Sequence, residues 1–105
     1  MIIIETSILT RQVLSLLDED DYRRLQTVLI FRPDVGELIP GSGGMRKICW
    51  GVQGRGKRGS VRAIYYWAVK EDRILLLWIY AKNVQTDLTP EQLKVLRRII
   101  EQEYP

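Results

Sequence analysis

Residues 74–81 read Ile-Leu-Leu-Leu-Trp-Ile-Tyr-Ala, without one charged side chain. An unbroken apolar run of this length is the pattern of a central strand buried on both faces. It also constrains its neighbours. Residues 61–69 are β-branched and aromatic (Val61, Ile64, Tyr65, Tyr66, Trp67, Val69), and only the short polar break around Glu71 and Asp72 separates them from the run. The two segments are predicted to form a tight hairpin. Upstream, residues 46–53 alternate, with Ile48, Trp50 and Val52 on one face and Lys47, Cys49, Gly51 and Gln53 on the other. That is a third strand, joined to the second by a loop over residues 53–60.

Helical signals flank this strand-rich middle. Residues 2–4 are three isoleucines and read as a short strand. Thr6 or Ser7 then caps a helix whose apolar residues Leu9, Val13, Leu14, Leu16 and Leu17 keep helical spacing. The cluster Asp18-Glu19-Asp20-Asp21 ends that helix and starts another, its carboxylates facing the positive end of the second helix dipole. Tyr22, Leu25, Val28 and Leu29 make the second stripe, which runs to about Phe31, and Pro33 stops it. Residues 34–44 hold Gly36, Pro40, Gly41, Gly43 and Gly44 and read as a connector with several positive-φ positions. The chain closes with a helix marked by Thr89 as N-cap, Pro90 at N1 and Gln92 at N3, the pattern of a capping box. The predicted order is strand, two helices, an antiparallel three-stranded meander and a C-terminal helix. This is one α+β domain over residues 1–105 with its helices packed on a largely antiparallel sheet.

Charge is distributed unevenly over this plan. Residues 38–70 carry Arg46, Lys47, Arg55, Lys57, Arg58, Arg62 and Lys70 and no acidic residue. The rest of the chain holds 9 basic against 13 acidic residues, so the formal net charge of +3 conceals a basic block on a mildly acidic body. Such a block suits a polyanionic partner. Gly54, Gly56 and Gly59 interleave with Arg55, Lys57 and Arg58, a loop composition whose backbone can lie close to phosphates. It is not a phosphate-binding P-loop, because the spacing is wrong and no helix follows.

Several chemistries are excluded by composition. The chain has one cysteine, Cys49, and no histidine. That removes the common zinc sites and the Ser-His and Cys-His dyads, and it fits a reducing compartment. No apolar run approaches the ~20 residues of a membrane span. Met1-Ile2-Ile3-Ile4 lacks the features of a secretory leader. A soluble cytoplasmic protein without metal or cofactor is expected.

The remaining chemistry belongs to lysine, arginine, tyrosine and carboxylates. Arg62 shares a strand face with Ile64 and Tyr66, Lys47 shares one with Cys49, and both stand near strand ends beside the basic loop. A rigid sheet can hold them at the edge of one groove. Tyr80, Lys82 and Asn83 follow the apolar strand and can reach the same groove. RNA cleavage needs no metal: a base removes the 2′-hydroxyl proton, cations stabilise the phosphorane and an acid protonates the leaving oxygen. Clustered Lys47, Lys57, Arg58 and Arg62 can provide a setting for that.

At this point the sequence resembles the bacterial type II toxins of the RelE/ParE superfamily, in particular the HigB-like branch. The resemblance rests on Ile3-Ile4-Glu5-Thr6 leading into the first helix and on the run Ile39-Pro40-Gly41-Ser42-Gly43-Gly44-Met45-Arg46-Lys47. The glycine-basic loop, Arg62-Ala63-Ile64-Tyr65-Tyr66, and the ending Tyr80-Ala81-Lys82-Asn83 with Asp87-Leu88-Thr89 complete it. It implies a RelE-like α+β toxin, metal-independent and ribosome-dependent cleavage of messenger RNA, and inhibition of translation. It also implies a cognate antitoxin of helix-turn-helix type and a toxin that is itself monomeric. Carried over by position, Arg62 contacts the scissile phosphate and Lys47 and Lys82 are basic site residues. Asn83 stands where the family often has arginine, and Leu88 near its downstream tyrosine acid or base, so either Tyr80 substitutes for that tyrosine or the cation cluster suffices. The catalytic set is then Lys47, Arg62, Tyr80 and Lys82, with Arg46, Arg55, Lys57, Arg58 and Asn83 binding RNA or ribosome. Two other readings fit the same chain: a ParE-like inhibitor of gyrase, and a nucleic-acid or ribosome-binding module without catalysis.

Overall fold

The computed structural model describes residues 1–52 and 59–105. It contains strand β1 (Ile2–Glu5), helices α1 (Ser7–Leu16) and α2 (Glu19–Phe31), strands β2 (Glu37–Leu38), β3 (Met45–Gly51), β4 (Ser60–Ala68) and β5 (Arg73–Ala81), and helix α3 (Pro90–Glu103). The strands form one five-stranded mixed sheet in the order β1-β5-β4-β3-β2. This is an α+β fold. Strands β3, β4 and β5 run antiparallel in chain order, as expected. The sheet is larger than the predicted three-stranded meander at both edges. β1 lies parallel to β5, pairing Ile2 with Arg73 and Glu5 with Leu76. β2 lies inside the stretch read as a connector and pairs with Lys47 and Arg46 of β3. β1 is added by contacts far apart in sequence, which local periodicity does not encode, whereas β2 is added by a local hairpin and, at two residues, is too short to show a period.

The helices begin where local chemistry places them. Thr6 Oγ1 accepts from the backbone N–H of Leu9 at 3.1 Å, and the side chain of Asp18 accepts from that of Asp21 at 2.7 Å. At α3 the capping box is complete: Thr89 Oγ1 accepts from Gln92 N at 3.2 Å and Gln92 Oε1 accepts from Thr89 N at 2.9 Å. Replacing Thr89 with alanine is expected to lower stability by about 1 kcal/mol, measured as a shift in the urea midpoint at unchanged m-value.

Both faces of the sheet are covered, which explains why residues 74–81 are apolar throughout. On one face Leu9 and Val13 of α1, its C-cap Leu17, and Leu25 and Leu29 of α2 pack against Ile48, Val61, Ala63, Tyr65, Ile74, Leu76 and Ile79. On the other, Leu96 and Ile100 of α3 pack against Met45, Ile64, Leu75, Leu77 and Tyr80. Strict alternation would put Tyr80 with Ile74 and Leu76. Instead the β4–β5 register shifts: Tyr65 pairs with Leu76 and Ile64 with Trp78, so Leu77 has no partner opposite it. The extra residue is a bulge, and it turns Tyr80 onto the α3 face.

The predicted positive-φ connector is present, with Gly41, Gly43 and Gly44 in the left-handed region at φ 70°, 78° and 110°. Ser42, buried within this turn, donates from Oγ to Ile39 O at 2.6 Å and accepts from Met45 N at 3.0 Å. Gly36 does not share their conformation. Among the described residues no helix is long and apolar enough to cross a membrane.

Candidate functional site

In an antiparallel ladder, residues directly opposite one another project from the same face. Cys49 is opposite Arg62, and Arg62 is opposite Tyr80. One step along, Lys47 is opposite Ile64. Three strands therefore bring Lys47, Arg62 and Tyr80 onto the α3 face. The alternation read from the sequence supplied the faces of Lys47 and Arg62, and the bulge supplied that of Tyr80.

The segment between β5 and α3 completes the site. Lys47 Nζ lies 3.0 Å from Asp87 Oδ1, joining positions 40 residues apart. Tyr80, 5% exposed, donates its phenol hydrogen to Thr86 O at 3.4 Å. A groove of about 420 Å³ opens here, with Lys47, Ile64, Tyr80, Asp87 and Thr89 among its lining residues. On the other side of Lys47 a second trough of about 580 Å³ is lined by Lys47, Cys49, Arg62 and Trp50, together with Val28 and Val35. Lys47 and β3 thus separate two concavities. Arg62 Nε is buried and has no hydrogen-bond acceptor among the described residues. A guanidinium donor held out of water without a partner is a costly arrangement, and an anionic ligand would relieve it.

Electrostatics shift Tyr80 and Asp87 in opposite directions. Burial pushes the Tyr80 phenol above its ordinary value, and the nearby Arg62 charge offsets part of that rise. Asp87 moves the other way: the hydrogen bond from Lys47 and its charge hold the carboxyl below the usual carboxylate range. At neutral pH the site therefore presents a protonated phenol, an ionised carboxylate, an arginine and a lysine. The phenol can give a proton and the carboxylate can take one. Substituting Arg62 with alanine is expected to raise the Tyr80 pKa further, since a favourable cation is lost. Asp87→Asn is expected to lower it, since an anion near the phenolate is removed. Phenolate absorbance in a pH titration, referenced to a Tyr80→Phe protein, reads both shifts; equal titration curves in all backgrounds would separate these residues electrostatically.

The other predicted site residues are placed differently. Arg46 projects from the opposite face of β3, where its Nη1 donates to Gly36 O at 2.8 Å and Asp34 O at 3.1 Å. It ties down the chain after α2 and is not brought together with Lys47 and Arg62. Lys82 and Asn83 are exposed in the turn after β5; the backbone N–H of Lys82 donates to Ser60 O at 3.1 Å, which ties that turn to the start of β4. Arg55, Lys57 and Arg58 lie outside the described residues. Of the expected cluster of Lys47, Lys57, Arg58 and Arg62, Lys47 and Arg62 line one trough, Lys57 and Arg58 lie outside the described residues, and the Asp87 carboxylate stands against the Lys47 ammonium. Asp87 was missed as a site residue. Its one sequence cue is that it is the sole acidic residue between Asp72 and Glu91.

No protein-family model matches this chain. The functional reading therefore rests on the chemistry of this face.

Proposed function

We propose that the chain is the toxin of a type II toxin–antitoxin system, a ribosome-dependent messenger RNA endonuclease with a RelE-like fold. The observation that carries this reading is the cross-strand row ending on Arg62 and Tyr80, with Lys47 one step away. It combines an unsatisfied guanidinium donor with a phenol kept protonated by burial. These are the groups that metal-independent phosphoryl transfer from RNA requires. The 2′-hydroxyl attacks the adjacent phosphorus, and its proton passes to Asp87, the carboxylate in the groove. Arg62 and Lys47 stabilise the charge that builds on the non-bridging oxygens. Tyr80 gives its proton to the departing 5′-oxygen. The products are a 2′,3′-cyclic phosphate and a 5′-hydroxyl. The basic stretch of residues 38–70 suits docking on ribosomal RNA.

The test is a purified translation system programmed with one defined message. The expected result is cuts within codons of ribosome-bound message, with cyclic phosphate at the new 3′ end. Intact message, together with a DNA-damage response in cells expressing the chain, would replace this reading with gyrase inhibition.

The pH profile follows from the two shifts. Asp87 must be ionised to accept a proton, and its pKa is depressed, so activity falls only below the usual carboxylate range. Tyr80 must be protonated to donate, and its pKa is raised, so activity falls only above the ordinary tyrosine value of 10.0. Cleavage is expected to be flat across neutral pH, unlike a histidine-based nuclease. A single-turnover profile with a limb between pH ~6 and ~7, where histidine titrates, would remove both residues from proton transfer.

A further inference from the structure

The segment between β5 and α3 holds two of the groups proposed for the reaction. Asp87 Oδ1 stands 3.0 Å from Lys47 Nζ, and Thr86 O accepts from the Tyr80 phenol at 3.4 Å. Adjacent residues of one segment therefore offer an anion to the lysine and a carbonyl oxygen to the phenol. A phosphodiester offers the same two things to the same two groups: a charged non-bridging oxygen, and a leaving oxygen that takes a proton. Arg62 belongs to the same field. After the hydrogen bond and the charge of Lys47, its charge also holds the Asp87 carboxyl down.

The segment is fastened from the other side. Gln85 Nε2 donates to Asp87 O at 2.8 Å and to Gln92 Oε1 at 2.6 Å, and Gln92 Nε2 donates back to Gln85 Oε1 at 3.4 Å. Gln92 Oε1 is also the acceptor of the Thr89 N–H in the capping box. The first turn of α3 thus anchors Gln85, and Gln85 anchors Asp87. The hold on the two reacting groups is lighter. The Asp87 side chain is 68% exposed and that of Lys47 20%. A carboxylate so open to water makes a weak ion pair, and 3.4 Å is long for a bond from a hydroxyl donor. Both contacts can be exchanged for better acceptors.

We propose that residues 85–87 are an autoinhibitory strap. In the free protein Asp87 and Thr86 O stand in for the scissile phosphate and its leaving oxygen, Gln85 is the positioning residue that keeps them there, and an entering RNA phosphate displaces the segment. This rests on the proposed site and deepens it. The exchange puts the phosphate on Lys47 and releases Asp87 as a carboxylate, the form in which it accepts the 2′-hydroxyl proton. Closure also lowers affinity, because only the open fraction of the protein binds. Loosening the strap therefore tightens RNA, the opposite of what loss of a binding or structural residue does.

The experiment measures binding of a fluorescently labelled single-stranded RNA carrying 2′-O-methyl groups throughout, which has no nucleophile and is not cut. The full chain is compared with Gln85→Ala, Asp87→Asn and the double variant. Gln85→Ala leaves every charge in place and removes the fastening. It is expected to tighten the RNA about threefold to tenfold, the reach of one lost hydrogen bond acting through the open fraction. Asp87→Asn is expected to tighten it at least as much. In the double variant the two gains are expected not to add, since both act by opening one segment. A second measurement needs no substitution. In an NMR titration of the parent protein with the same RNA, the Lys47 ammonium and Gln85 side-chain amide signals are expected to shift together, with one midpoint.

A folded Gln85→Ala protein that binds the RNA no more tightly than the parent overturns the strap. So does a shift of Lys47 in the parent titration with Gln85 unmoved, or no binding by any of these proteins. Gains that add in full would make Asp87 a repelling charge fixed in place, and overturn it too. Failure of the nuclease reading appears elsewhere, as absent cleavage by the parent protein on programmed ribosomes with the tightening intact; that result leaves the strap standing.

Discussion

Replacing Arg62 with alanine is expected to slow message cleavage about 10²–10³-fold while leaving the folded state close to that of the parent protein. The two halves of this expectation have different origins. Loss of rate follows from position: Arg62 lies between Cys49 and Tyr80 in one cross-strand row, so its fork is held by a rigid sheet beside the proposed proton donor. Retained stability follows from what the side chain lacks. Its Nε is buried without an acceptor among the described residues, so truncation removes a poorly solvated donor and breaks no bond there. Lysine at the same position restores a charge but not the paired planar donors, and is expected to recover only part of the rate. Single-turnover cleavage on programmed ribosomes, beside thermal melting of the same preparations, separates the two effects. A folded alanine variant that cuts at the parental rate would take Arg62 out of the site.

How far the site could be read in advance depends on the range of the interaction concerned. Thr89 was legible as a cap, and Thr6 as one of two candidates with Ser7, because a cap involves residues three apart; both form, and the acidic cluster read as a helix start supplies its cap from Asp18. The faces of Lys47 and Arg62 were legible because strand alternation has a period of two. Tyr80 was the harder case. Its residue type suggested a proton donor, but its face depends on the unpaired Leu77, and nothing in an unbroken apolar run marks where a bulge falls. Asp87 and Lys47 meet across 40 residues, and β1 meets β5 across the whole meander; such pairings belong to topology. Arg46 shows how much one residue along a strand changes a placement. A basic residue beside Lys47 looked like a ligand for RNA, yet one step along a strand reverses the face, and its guanidinium is bonded to the carbonyls of Asp34 and Gly36.

That anchoring leads to the second large effect. Gly36→Ala is expected to destabilise the protein by about 1–3 kcal/mol through overpacking and to weaken the site with it. Gly36 has no positive φ, so conformational freedom is not the reason for glycine here. Space is the reason. A Cβ would stand 2.8 Å from both Cε1 and Oη of Tyr65 and 3.0 Å from Lys47 O. None of these atoms can retreat cheaply. Tyr65 is fully buried, its Oη accepts from Gly36 N at 2.8 Å and donates to Pro33 O at 2.8 Å, and Lys47 O belongs to the backbone of β3. Relief requires moving the chain that leads into β2, and β2 is the strand that pairs with Lys47. Tyr65→Phe removes the hydroxyl and strands Gly36 N–H and Pro33 C=O, costing a similar ~1–3 kcal/mol. The double variant is expected to lose less than the sum, because one of the three close contacts is gone. Urea unfolding of the four proteins gives the coupling, and cleavage under conditions where each remains folded gives the functional cost. A Gly36→Ala protein within about 0.5 kcal/mol of the parent, the range of an ordinary surface change, would mean that this corner is loose and that Lys47 is positioned by other contacts.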